Sequence, residues 1–305
     1  MSTPTLSSIS TLKPKVIEGS EIYDRLSLEE FDQLSKSLDC FRNNMAHEIT
    51  MLGTGNAFLP NGRHHSFAII DRKHIIDAPP TALISLRENG IKINDLTTIF
   101  ITHLHGDHIF GLPFLLLERT YISDRELSHP LTIVAAPGAK NRIEELCQIA
   151  YPGSLERILS TIVWDENSNG TTTDGWHWSR FEVNHNDSVD PYGYSFTSEK
   201  GATFVHSGDS GPCDSLYSAI ENTELAIIEM AIPEWVPSTE HHKPSDILKL
   251  SEMYPHVKFI ITHTFIDSID SEKPAITAKD FPTHPDNVQH VEDGYSITWQ
   301  KMWKF

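Results

Sequence analysis

No stretch of the 305 residues holds the roughly 20 consecutive apolar side chains needed to span a bilayer. Met1 to Ser10 also lacks the basic start and apolar core of a secretory signal. A cytoplasmic protein with no membrane segment is the expectation. Cysteine is scarce: Cys40, Cys147 and Cys213 stand far apart with no C-x-x-C pair, so neither a disulfide framework nor a thiolate zinc site is implied. Positive charge is in short supply too, with 24 Lys and Arg against 42 Asp and Glu and a net charge of −18. A surface that grips nucleic acid throughout needs clusters of Lys and Arg, so this balance weighs against one while leaving room for a local basic groove. What the chain does have is histidine, 17 in all, on an otherwise ordinary globular composition of 39% hydrophobic and 22% charged residues.

The first 46 residues read differently from the rest. Met1 to Ser20 is rich in Ser, Thr and Pro and has no period, which reads as an arm without fixed structure. A helix is predicted from Ser27, where Ser27 and Glu30 form a capping box and Leu26 and Phe31 a hydrophobic staple. Phe31, Leu34, Leu38, Phe41 and Met45 then make one apolar stripe. Packing on the body is the plain reading of that stripe; a contact with a second copy, making a homodimer, is the alternative. We therefore divide the chain into an N-terminal extension, 1–46, and one domain, 47–305. In that domain short apolar runs alternate with helical patterns, an α/β arrangement. The strands include Glu48–Leu52, Ser66–Ile70, His74–Ile76, Thr98–Thr102, Leu131–Ala135, Thr203–Val205, Leu225–Ile228 and Lys258–Thr262. Helices are predicted at Gly138–Tyr151 and Ser245–Tyr254, a hairpin turn at Asp71–Lys73, and a polar loop over Asp165–Gly175.

The densest chemistry lies in Thr102-His103-Leu104-His105-Gly106-Asp107-His108. Four potential ligands follow directly on an apolar strand, and a loop leaving a strand's C-terminal end can converge several side chains on one point. Imidazole and carboxylate suit zinc and other borderline divalent ions. Four such polar groups at the end of a buried strand are costly unless metal or hydrogen bonds satisfy them. His185, Asp209 and His263 each follow an apolar run as well. Singly each reads as a loop hydrogen-bonder; with the cluster they complete the six or seven ligands of a two-metal hydrolytic site.

With those residues in hand, the sequence resembles the metallo-β-lactamase superfamily, and within it the ribonuclease Z-like branch. Leu52-Gly53-Thr54-Gly55-Asn56-Ala57, Gly111-Leu112-Pro113, Tyr192-Gly193-Tyr194, Ser207-Gly208-Asp209-Ser210-Gly211-Pro212 and Glu292-Asp293-Gly294 also match the branch, from about residue 47 to residue 298. The resemblance implies a four-layer αββα sandwich and a dinuclear hydrolase. It puts His103, His105 and His185 on one metal, Asp107, His108 and His263 on the other, and Asp209 between them. Zinc is the expected ion, with manganese or iron open. Two nearby cations share a water, lower its pKa and clamp attacking and leaving oxygens, with Asp107 placed to accept its proton. The resemblance also implies a Glu–His pair that protonates the leaving group. Glu229 is the matching Glu. The His is His241 or His242, and counting back from His263 without a gap favours His241.

Three departures bear on the substrate. Ribonuclease Z proteins carry a basic arm between the third His motif and the bridging Asp. Here only the 23 residues Asn186–Gly208 intervene, with one base, Lys200, and three acids, Asp187, Asp190 and Glu199. The stretch after the last ligand His reads Thr264-Phe265-Ile266-Asp267, and Lys243 replaces a usual Ser or Thr, where it could meet an anion. The leading expectation is a phosphodiesterase for a small phosphodiester such as a cyclic nucleotide. A tRNA 3′-end endonuclease, with Lys13 and Lys15 adding contacts, is the runner-up, and an ester, lactone or thioester hydrolase comes third. Phe58, Arg63, His64, Tyr192, Trp235 and Phe265 are candidates for the pocket wall by adjacency to the motifs.

Overall fold

The structure, a computed structural model, describes residues 47–265 and 285–299. The helix expected from Ser27, its stripe to Met45, and the departures Ile266 and Asp267 lie outside these residues. Among the described residues, fourteen strands form two seven-stranded sheets. The first contains β1 (His47–Gly53), β2 (Phe67–Ile70), β3 (His74–Ile76), β4 (Thr98–Phe100), β5 (Thr132–Val134), β6 (Val163–Asp165) and β14 (Tyr295–Trp299). The second contains β7 (Asn169–Thr171), β8 (Trp176–Glu182), β9 (Tyr192–Ser198), β10 (Thr203–His206), β11 (Leu225–Glu229), β12 (Lys258–Thr262) and β13 (Val288–His290). Their orders are β14-β1-β2-β3-β4-β5-β6 and β13-β12-β11-β10-β9-β8-β7. The main helices are α1 (Ala82–Glu88), α2 (Gly106–Ile109), α3 (Leu112–Glu118), α4 (Ala139–Ala150), α5 (Glu156–Leu159), α6 (Asp214–Ile220) and α7 (Pro244–Met253). None of the described helices is long and apolar enough to cross a membrane.

Three apolar cores define four layers. Between the sheets lie Ile49, Met51, Ile70 and Phe100 from one side and Trp176, Phe196, Phe204, Ile227 and Ile260 from the other. The outer face of the first sheet buries Phe67, Ile69, Ile99 and Ile133 against Leu86, Leu112, Leu115 and Ile143. The outer face of the second buries Val205, Ile228, Phe259 and Ile261 against Leu216, Ile220, Ile247 and Leu250. This is the expected αββα sandwich. A strand covered on both faces favours consecutive apolar residues, which is why β4, β11 and β12 carry the runs Ile99-Phe100, Leu225-Ala226-Ile227-Ile228 and Phe259-Ile260-Ile261.

The hairpin at Asp71–Lys73 is present. Asp71 and Arg72 have φ of 48° and 59°, the left-handed pair that a tight two-residue hairpin turn requires. The polar stretch 165–175 is not all loop, because Asn169–Thr171 forms the edge strand β7 on β8. Its side chains do not alternate in polarity; Gly170 lets the Trp178 indole lie against its backbone instead. In β8 the pattern does alternate, with Trp176 and Trp178 buried and His177 and Ser179 exposed, so this strand is covered on one face only. The two glycine-bearing motifs at opposite ends of the domain meet. Thr54 Oγ1 donates to Asp293 Oδ1 at 2.7 Å, and Arg63 donates to Thr54 Oγ1, the Val291 carbonyl and Glu292.

Candidate metal centre

β3 to β6 run parallel, as do β10 to β13. Their C-terminal ends carry the polar residues. Asp77 follows β3, His103 to His108 follow β4, Asp209 follows β10, Glu229 ends β11 and His263 follows β12. His185 follows β8, and the isolated bridge Asn184–Gly211 ties its loop to the turn that bears Asp209.

All seven expected ligands come together in two groups. His103, His105, His185 and Asp209 form one, and Asp107, His108, Asp209 and His263 the other, so Asp209 belongs to both. In the first, the ring nitrogens His103 Nε2 and His105 Nδ1 are 3.0 Å apart, and His185 Nε2 is 3.2 Å from His105 Nδ1. In the second, His108 Nε2 lies 3.4 Å from Asp209 Oδ1 and 3.5 Å from Asp107 Oδ2. His263 Nε2 is 3.3 Å from Asp209 Oδ2 and 3.4 Å from Asp107 Oδ2. Tetrahedral ligands at ~2.0–2.2 Å from an ion lie about 3.3–3.6 Å from each other, which these separations approach.

In His185, His103 and His108 the hydrogen bonds behind the ring engage Nδ1 and turn Nε2 toward the cluster. His185 Nδ1–H donates to the Glu240 carbonyl, leaving Nε2 unprotonated. Asp77 organises the opposite wall: it accepts from Thr102 N–H and Thr102 Oγ1–H at 2.8 Å each and from His108 Nδ1–H at 2.8 Å. Since the Thr102 hydroxyl proton goes to Asp77, Thr102 Oγ1 accepts from His103 Nδ1–H. His108 Nε2 then has no hydrogen-bond partner although it is buried. A carboxylate behind a ligating imidazole in this way fixes ring and tautomer. The donor set and its orientation therefore fit two borderline divalent ions. Sequence reasoning missed Asp77. Its signal was present, since Asp77 follows the buried run Ile75-Ile76 just as the ligands follow theirs.

Two residues of the cluster's walls have strained backbone. Asp77 and His263 have φ of 69° and 53°, unusual values for residues with side chains and worth about 1–3 kcal/mol each. Electrostatics reflects the crowding. Burial would raise the Asp209 carboxyl, but the imidazoles of His263 and His108 hold it well below the usual carboxylate range. Asp107 is lowered likewise, against burial, chiefly by His108. Burial, then repulsion from His108, lowers His103. Burial would also lower His108, but the carboxylates of Asp209, Asp77 and Asp107 raise it.

The Glu–His pair is also assembled. His241 Nδ1 donates to Glu229 Oε1 at 2.8 Å, and His241 lines the pocket. Glu229, 1% exposed, also accepts from the N–H groups of Ser210, Ala231 and His242. Burial would lower His241, but the Glu229 charge and hydrogen bond push it up to about 9. His242 is not in the pocket: it is fully buried, and its Nδ1–H donates to the Ser210 carbonyl.

Above the ligands is a cavity of about 590 Å³. Phe58, Trp235 and Phe265 line it with Ile232, Pro233 and Val236, and among the described residues no Lys or Arg does. Phe58 and Trp235 are 77% and 56% exposed, and Phe58 meets Phe265 edge to face at 5.7 Å. The other wall candidates lie elsewhere. Arg63 is buried in its own network, the His64 main-chain N–H donates to Asp293, and Tyr192 lies under the Arg180 guanidinium. Lys243 is the N-cap of α7 and does not line the cavity.

Comparisons with known proteins agree with this geometry. Residues 47–263 match the family described as anti-Pycsar protein Apyc1. A ribonuclease Z of Staphylococcus carnosus is 33% identical over 156 residues, 48% of each chain, so the match spans about half of that relative. A ribonuclease Z of Staphylococcus epidermidis is 24% identical over 71% of this chain and 88% of its own. The metallo-β-lactamase fold protein YhfI of Bacillus subtilis superimposes with a TM-score of 0.67 and 15% identity, over 84% of this chain and all of that one.

Proposed function

The chain belongs to the anti-Pycsar protein Apyc1 family and is a hydrolase of the metallo-β-lactamase fold, and from that premise we propose that it is a dinuclear phosphodiesterase acting on a small phosphodiester, a cyclic nucleotide or a similarly compact substrate. The observation that carries the reading is the pocket. Two ligand sets sharing Asp209 form the floor of a cavity of about 590 Å³ whose walls are apolar and aromatic. That volume falls within the ~300–1,000 Å³ of small-molecule sites. Its size and lining suit one sugar and base better than a polynucleotide backbone.

Bound divalent ions, zinc by the donor set, supply charge stabilisation and a water acidic enough to ionise near neutral pH. The rest falls to the chain. Asp107 orients the attacking water and takes its proton. His241, held by Glu229, gives a proton to the oxygen that leaves phosphorus. Phe58, Trp235 and Phe265 hold the organic part of the substrate and exclude water. Among the described lining residues, none of them Lys or Arg, His241 adds positive charge beside the scissile phosphate.

Similarity to the ribonuclease Z proteins favours a second reading, cleavage of a tRNA 3′ end. Against it, the connector from His185 to Asp209 folds into a short 3-10 turn and the β9–β10 hairpin, with no length left for a projecting basic arm. Purified protein loaded with zinc should hydrolyse bis(p-nitrophenyl) phosphate and a cyclic nucleotide, and Asp209→Ala or His105→Ala should abolish both activities. Turnover of esters or lactones with none of phosphodiesters would refute the reading. Salt-sensitive cleavage of a precursor tRNA, as phosphate contacts demand, would favour the second.

A further inference from the structure

Asp209 has to present one oxygen to each ligand set, so the direction of its side chain matters more than that of any other ligand. Its main chain is a three-residue turn, Gly208-Asp209-Ser210, squeezed from both sides. Gly208 has φ of +60°, and a Cβ there would stand 2.7 Å from the Tyr192 carbonyl oxygen and 3.0 Å from Thr102. Gly211, just beyond, has no room for a side chain because the Thr239 carbonyl would be 1.7 Å from its Cβ.

Two buried imidazoles grip this turn, one on each side of Asp209. Gly208 N–H donates to His206 Nδ1 at 3.1 Å, and His242 Nδ1 donates to the Ser210 carbonyl at 2.5 Å. The two bonds require opposite tautomers. His206 accepts at Nδ1, so its proton is on Nε2; His242 donates from Nδ1, so its Nε2 is bare. Each ring is nearly or fully buried, 4% and 0% exposed, and each Nε2 lacks a hydrogen-bond partner. A side chain kept only to fill that space would do better as Leu or Phe, which bury no unpaired nitrogen. The second nitrogen is left unpaired while the first holds the turn.

We propose that His206 and His242 are positioning residues for the metal-bridging carboxylate, acting on Asp209 through the peptide groups of Gly208 and Ser210. The inference rests on the dinuclear reading of the site, and it gives His242 a function distinct from proton donation. Neither residue belongs to either of the two ligand sets, so neither contributes a donor to a metal there. Their role is to stop the turn from rotating, in the way that groups behind a ligand govern affinity in other metal sites.

The test uses the full chain and Zn²⁺ alone. His206→Leu and His242→Leu keep the bulk and remove the hydrogen bond, whereas His206→Asn and His242→Asn supply an amide that can accept or donate. Zinc titration of the chelator-treated proteins should show at least one ion bound about 10- to 100-fold more weakly in each Leu variant. Affinity should return substantially in the Asn variants. Melting of the metal-free proteins is read in parallel, because a merely structural role would lower it without a selective loss of zinc. In wild-type protein with ¹⁵N-labelled histidine, His206 should carry its proton on Nε2 and His242 on Nδ1. Two ions bound by both Leu variants within twofold of wild type would overturn the proposal, as would either opposite tautomer. If the Leu variants do not fold, the wild-type tautomers decide. Since none of these readouts is turnover, a failure here is distinct from a failure of the phosphodiesterase reading.

Discussion

Consider Glu229→Gln. The Glu229 carboxylate, buried and hydrogen-bonded to His241, pushes that imidazole from 6.5 up to about 9. The rise corresponds to an interaction on the order of 3 kcal/mol, at 1.36 kcal/mol per pKa unit. Glutamine keeps the shape and an acceptor oxygen but removes the charge, so the imidazole should fall back toward its ordinary value. For a raised histidine the charged form prevails below the folded pKa and disappears as pH rises through it. A general acid working in that form therefore loses activity on the alkaline side. At pH 8 a group near 9 is about 90% protonated and one near 6.5 about 3%, so the variant should be about 30-fold slower there. At pH 6 the difference should be under about twofold. Bound divalent cations repel the imidazolium and lower both limits together, so the separation of the two profiles is the quantity to read. The assay is kcat from pH 6 to 10 on a cyclic nucleotide, whose alkoxide leaving group needs a proton, with zinc content measured in each protein. Bis(p-nitrophenyl) phosphate is the control, because p-nitrophenolate departs without one. Superimposable profiles for wild type and variant on the cyclic nucleotide, at equal zinc content, would refute the role given to Glu229 and His241.

Three shorter predictions follow from the same geometry. Asp77→Ala removes the acceptor of both Thr102 bonds and of His108 Nδ1–H; zinc affinity should fall about 10- to 100-fold, and unchanged affinity would show that the ligands hold their own orientation. Phe58→Ala with Trp235→Ala should raise KM on a nucleotide several-fold while leaving kcat and zinc content nearly unchanged; a fall in kcat alone would mean that these rings are not the substrate wall. Asp71 is held below the usual carboxylate range against burial by its bonds to His47, Glu48 N–H and Trp176, and Asp174 is held below it against burial chiefly by His74. A depressed folded pKa stabilises above the unfolded value near 3.9 and is lost as pH falls below it. Asp174→Asn should accordingly lower Tm at pH 7, with the gap to wild type closing below about pH 4, and a gap that persists in acid would contradict the linkage.

Much of the site was legible because its residues cluster along the chain or follow recognisable runs. Four of the proposed ligands fall within six positions at the end of β4, and His185, Asp209 and His263 each stand after an apolar segment. The strands covered on both faces were readable because burial on two sides favours consecutive apolar residues, as in Ile227-Ile228 of β11 and Ile260-Ile261 of β12. β7 escaped, since an edge strand of Asn, Gly and Thr obtains its order from pairing with β8 rather than from its own side chains. The pocket wall was half legible. Phe58, Trp235 and Phe265 line the cavity, but Arg63, a candidate by its place beside the opening motif, is turned inward to tie Thr54 to Val291 and Glu292.

The sequence by itself determined the kind of chemistry, because imidazole and carboxylate at the ends of apolar runs have few other uses, and it determined the layered α/β class, because burial on two faces dictates composition. Only the tertiary structure decided which histidine of the pair at 241 and 242 reaches the pocket, that Asp77 stands behind Thr102 and His108, and that His206 and His242 hold the turn that carries Asp209. Those outcomes depend on which hydrogen-bond partner each side chain meets in the folded chain, as Asp77 meets Thr102 and His108 across 25 and 31 positions and His242 meets Ser210 across 32, and spacing along a sequence does not contain that information.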